Sequence, residues 1–211
     1  MIDVFRRRFL RPFAFVVLTP LTLWLAGCQI LPEAQPDRTR YFVLAAPMAA
    51  GAMEESEGAT LGLRAIELPG YLRNSRSMVV ARGSSELSFR EDERWAEPLE
   101  SGLSRVFRET LLASDGVAQV AVFPFTSEVT RDYDLLIRVL HCEGVDTGAG
   151  RPSIRFALYY ELTRAGAAGE IVQGRYFAAP AAEWNGEPEA LATRLGEAAA
   201  AAAAAIAADL P

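Results

Sequence analysis

The sequence predicts a single α/β domain behind a membrane-targeting N-terminus, and three observations carry this. Two stretches, opened by Pro98 and Pro188, place apolar residues at helical spacing. Three consecutive segments between Tyr133 and Ala178 read as strands joined by short turns. Further strand signals precede the first helix, so strands and helices are interspersed along the chain.

The N-terminus sets the context. Arg6, Arg7, Arg8 and Arg11 are followed by the apolar run Phe13–Leu25, then Ala26, Gly27 and Cys28. A basic head, a short apolar middle and small residues before a cut form a secretory signal. The run contains Pro20 and falls short of the ~20 residues that span a bilayer. Leu25-Ala26-Gly27-Cys28 matches a bacterial lipobox. In proteins carrying that pattern the thiol receives a diacylglycerol, the peptide is cut before the cysteine, and the new N-terminus is acylated. Residues 1–27 are thus expected to be a signal peptide, 28–40 an acylated tether and 41–211 one domain. The tether carries Pro32 and Pro36 and shows no period. Fully extended, it reaches at most about 40 Å, so the head stays near its membrane.

Tyr41–Leu44 is the first strand signal, and Pro47–Ala59, small and acidic, reads as a loop. Thr60–Leu68 alternates until Pro69-Gly70 ends it. Met78–Arg82 and Glu86–Arg90 are joined by Gly83-Ser84-Ser85 as a hairpin. Leu99, Leu103, Val106, Phe107, Thr110 and Leu111 form the stripe of the first helix, with Pro98 in its first turn and Asp115-Gly116 after its end. Gln119–Phe123 is a short strand stopped by Pro124. The runs from Tyr133 to Glu143, Ile154–Leu162 and Glu170–Ala178 make an antiparallel meander, with Leu135, Ile137 and Val139 sharing one face. Pro188 opens an alanine-rich helix towards Asp209, whose stripe is Leu191, Leu195, Ala199, Ala202 and Ile206.

Charge and composition exclude several functions. All 21 basic residues are arginine, against 27 acidic ones. Removing residues 1–27 takes away four arginines and one aspartate and leaves a formal charge of −9. An acidic head does not suit nucleic acid, nor adhesion to anionic lipid, so the acyl chains must hold the membrane. Without lysine there is no Walker loop, Schiff-base lysine or serine–lysine dyad. His141 is the single histidine, which excludes His-based zinc sites and reads as structural. With Cys28 acylated only Cys142 remains, a small buried hydrophobe without a disulfide partner. The cluster Glu91-Asp92-Glu93 precedes a helix, where acidic residues are expected on dipole grounds. No nucleophile–base pair assembles, and the chain reads as a non-enzyme without metal or cofactor beyond its acyl chains.

Leu68-Pro69-Gly70-Tyr71-Leu72, Met78-Val79-Val80-Ala81-Arg82 and Arg94-Trp95-Ala96-Glu97-Pro98-Leu99 form a recognisable series. With Tyr41–Leu44 and the lipobox, it resembles the ABC-type transport auxiliary lipoprotein family, which includes the lipoprotein of the paraquat-inducible Pqi system. Arg73-Asn74 depart from it, standing where the family commonly has an acidic residue. The resemblance implies a three-layer α/β fold with a mixed sheet, like the N-terminal domain of TolB. It also implies a periplasmic lipoprotein working with an MCE-domain protein and its ABC permease and ATPase, which move phospholipid or other hydrophobic molecules. A homo-oligomeric ring is a further arrangement it allows. Gln29, where aspartate is absent, favours the outer membrane. Tyr71 and Leu72, in a Pro-Gly-bounded loop, are expected to be an exposed partner contact. Trp95 is expected to pack the entrance of the helix, and Arg94 to pair with a carboxylate of this chain or of a partner. The competing functions are a lipid-binding carrier and an envelope scaffold or activator unrelated to transport.

Overall fold

The computed structural model describes residues 36–45, 57–126, 128–166 and 170–211. The signal peptide, Cys28, most of the tether and much of the loop after Pro47 lie outside the described residues.

Strands and helices follow in the order β1 (Arg40–Phe42), β2 (Ala59–Leu63), α1 (Gly70–Arg73), β3 (Ser77–Arg82), β4 (Glu86–Trp95), α2 (Leu99–Leu112), β5 (Val117–Val122), β6 (Tyr133–Val145), β7 (Ser153–Arg164), β8 (Ile171–Ala178) and α3 (Pro188–Ala208). All eight strands form one mixed sheet. The antiparallel meander β6-β7-β8 is its continuous part. On its other edge β6 has two neighbours in turn. Tyr133–Leu135 lie parallel to Leu61–Leu63 of β2, and Gly144–Val145 lie parallel to Val80–Ala81 of β3. β2 leads outward to β5, and β3 leads to β4 and then β1. The sheet therefore forks along β6.

Both long helices cover one face. Leu99, Leu103, Val106, Phe107 and Leu111 are buried on α2, and the stripe expected on α3 is buried in full. Helix α3 is long and apolar enough to cross a membrane, yet more than half of it is buried within the domain, as a core helix should be. Its far end is pinned at Asp209, whose carboxylate accepts a hydrogen bond from Tyr160 and pairs with Arg175 at 3.1 Å. The resemblance implies three layers. Here the helical layer holds both long helices, and the opposite face of the sheet is left partly open, with Leu140 and Tyr176 exposed on it. Each fully buried large side chain contributes on the order of 1.5–3 kcal/mol, and Cys142 is free and buried, so the core holds this fold.

Several boundaries differ from expectation. The alternation of Thr60–Leu68 carries β2 only to Leu63, beyond which contact with β6 is reduced to single hydrogen bonds and the isolated bridge of Glu67 with Arg138. The expected loop at Tyr71-Leu72 is the short helix α1. Strand β4 continues through Glu91, Asp92 and Glu93 to Trp95, because β3 pairs with it on one side and β1 on the other. The acidic cluster is thus a strand segment, with Glu93 paired to Arg90 at 2.7 Å. Trp95 is buried at the strand's end. Pro98 sits just before α2, and its carbonyl accepts from Ser101 and Gly102 at 2.9 and 3.1 Å.

Candidate functional site

The fork in the sheet is where two of the expected contact residues, Tyr71 and Leu72, fall. Between the two neighbours of β6, its edge is taken by the chain from Arg64 to Glu67. The Arg64 amide donates to Leu135, the Glu67 amide to Ile137, and the Val139 amide to Glu67, at 3.0, 2.9 and 2.9 Å. Leu68 and Leu72, which follow it, are buried in the core.

A β-bulge decides what faces this fork. The register of β6 against β7 shifts between Val139 and His141, leaving Leu140 as an extra residue. Regular alternation would put Glu143 on the core face with Val139. The bulge reverses the parity, so Cys142 and Gly144 turn to the core and His141 and Glu143 to the other face. Gly144 is required there, since a β-carbon would lie 3.0 Å from the Trp184 ring and 3.4 Å from Leu191.

Glu143 is the centre of the site. Its side chain is fully buried, and four donors converge on the carboxylate. Arg155 Nε and His141 Nδ1 approach Oε1 at 2.7 and 2.9 Å. The Tyr71 hydroxyl and the Cys142 amide donate to Oε2 at 2.9 and 2.8 Å. A carboxylate offers about four acceptor positions, so this one is saturated, which is what lets a buried charge persist. Facing a pure acceptor, Nδ1 of His141 must carry the hydrogen. Burial first, and then the charge of Glu143, push the Tyr71 phenol well above its ordinary range. The same two causes push the Cys142 thiol up, so it stays protonated and unreactive.

The network ties α1 to β6 across 72 residues of sequence. It has no nucleophile–base geometry; its chemistry is to hold a turn. Tyr160 behaves like Tyr71, raised by its own burial and then by Asp209. Both phenols hold their protons more tightly when folded than unfolded. Their contribution to stability is complete below about pH 10 and declines above it. Chemical denaturation should show stability falling from pH 10 to 11, and less steeply in Tyr71→Phe.

The expected contact residues are placed unevenly. Tyr71 is half-buried and Leu72 is in the core, so neither is the freely exposed loop contact that Pro69-Gly70 suggests. The reason is the Glu143 carboxylate that Tyr71 is bonded to and the core cluster that Leu72 joins. Arg94 is exposed on β4, and its Nε donates to the Glu91 carbonyl at 2.8 Å. Glu143 and Arg155 were not singled out from the sequence, although they face each other across β6 and β7. Beside the turn lies an open groove of about 400 Å³, with Arg64, Ile66, Arg73, Glu100 and Phe123 on its walls.

Residues 42–207 match the model of the ABC-type transport auxiliary lipoprotein component family. The chain belongs to this family. A crystal structure of a Xanthomonas campestris protein superposes on the auxiliary lipoprotein with a TM-score of 0.66 at 18% identity, covering 80% of this chain and 93% of that one. A second crystal structure, of an uncharacterized protein, gives 0.62 at 18% identity over 82% and 99% of the two chains. These likenesses establish the fold. Comparison with curated proteins gave no match. As a family member the auxiliary lipoprotein is an accessory of ABC transport, associated with a transporter and held at a membrane of the cell envelope. The family is a transport component and not an enzyme family.

Proposed function

We propose that this lipoprotein docks an MCE-type ABC transport complex that moves phospholipid or other hydrophobic molecules across the periplasm. Acylated Cys28 holds the head at the outer membrane, and the head receives the MCE-domain protein, which supplies the tunnel while the permease and ATPase supply the work. The observation that carries this reading is membership of the auxiliary lipoprotein family. Three grooves among the described residues are open and lined with charged residues, among them Arg64, Glu100, Arg151 and Arg194. That suits contact with a protein surface better than storage of an acyl chain.

Photo-crosslinking in intact envelopes tests the docking. A crosslinker at Tyr176, 62% exposed on the meander, and another at Arg94 should capture an MCE-domain protein from at least one position. Capture from neither overturns the proposal. Stoichiometric phospholipid extracted from the purified head would favour the carrier instead.

A further inference from the structure

Directly after β1 the chain crosses the helical layer, and both long helices carry a glycine where it does so. Leu44 is buried, with a methyl group in van der Waals range, 3.4 Å, of where a β-carbon on Gly102 of α2 would lie, and the Glu97 carboxylate stands closer, at 3.2 Å. One residue on, the carbonyl of Ala45 occupies the place that a β-carbon on Gly196 of α3 would need. Glycine is the poorest helix former after proline. Gly196 interrupts a helix made largely of alanine, the best helix former, at the position where alanine would strike the crossing chain. The seat is also hydrogen-bonded. Arg105 Nη2 donates to the Leu44 carbonyl at 3.0 Å and pairs with Glu97 Oε1 at 3.0 Å. The Ala96 amide donates to the Phe42 carbonyl at 2.8 Å.

We propose that Leu44–Ala45, seated on Gly102 and Gly196, is a clamp that passes pull on the membrane tether into the helical layer instead of letting it peel β1 from the sheet. This rests on reading residues 28–40 as an acylated tether. Strand β1 has only three residues in register with β4, too few to resist a load by themselves. The clamp adds a buried side chain, a guanidinium and one close backbone approach, at Gly196, immediately beyond it.

Gly196→Ala gives opposite signs to the two explanations. Helix propensity alone makes this variant at least as well ordered as the parent. A clamp makes it looser at one place. In the full acylated chain in phospholipid vesicles, amides of residues 40–45 and of Ala96 should exchange at least about tenfold faster, with β6 and β7 unchanged. Gly70→Ala, where a β-carbon meets nothing within 4 Å, is the control and should change neither. Unchanged exchange at residues 40–45 and Ala96 in Gly196→Ala overturns the clamp. Retention of Cys28→Ala in the membrane fraction overturns the tether reading beneath it, and the two failures are read from different variants.

Discussion

Glu143→Ala is expected to lower the unfolding free energy by about 3–5 kcal/mol, the usual effect of removing one side of a buried charge network. The substitution leaves the Cys142 amide without its acceptor and the Tyr71 hydroxyl with only the Leu140 carbonyl at 3.4 Å, and an orphaned buried donor costs about 1–3 kcal/mol. Arg155 and His141 are partly exposed and can turn to water, which places the effect towards the lower end. Tyr71→Phe removes a single donor and should cost about 1 kcal/mol. Because both substitutions break the same bond, the double variant should be little worse than Glu143→Ala alone. Urea unfolding of the four proteins reads this directly. A loss below about 1 kcal/mol in Glu143→Ala would mean that the carboxylate is not what fastens the turn.

The second large effect is functional. Cys28→Ala removes the acylation site, and with it about 0.8 kcal/mol of membrane affinity for every buried methylene. An acidic head offers no electrostatic substitute, so the variant should leave the membrane fraction and lose transport. Its far-ultraviolet circular dichroism and unfolding midpoint should remain those of the parent head, since the described core lies entirely beyond Thr39. Full transport by a released head would show that the anchor is dispensable. Loss of fold would show that residues before the first strand contribute to the core.

Much of the architecture was legible because its signals are local. The stripes of α2 and α3 follow from 3.6-residue spacing, and both proline starts follow from the missing amide hydrogen. The meander follows from alternation and short turns. What stayed illegible depends on partners far away in sequence. Glu91-Asp92-Glu93-Arg94 has no apolar alternation, and only pairing with β3 and β1 keeps it extended. One extra residue at Leu140 reverses which side of β6 faces the core, and nothing in Val139–Glu143 announces it. Glu143 therefore reads as an ordinary strand residue, and Tyr71 as an exposed one, until the bulge brings them within 2.9 Å.

By itself the sequence determined the class of fold, the two long helices, the meander, the absence of familiar catalytic motifs and the resemblance to the auxiliary lipoprotein family. Tertiary structure alone decided that the sheet forks, that both long helices share a face, that a buried carboxylate is bonded to the Tyr71 turn, and that the chain after β1 lies against Gly196. The reason is physical. Periodicity and capping depend on neighbours within a turn or two, whereas register, close approach and the saturation of a buried charge are set by residues up to 151 positions apart, as Ala45 and Gly196 are.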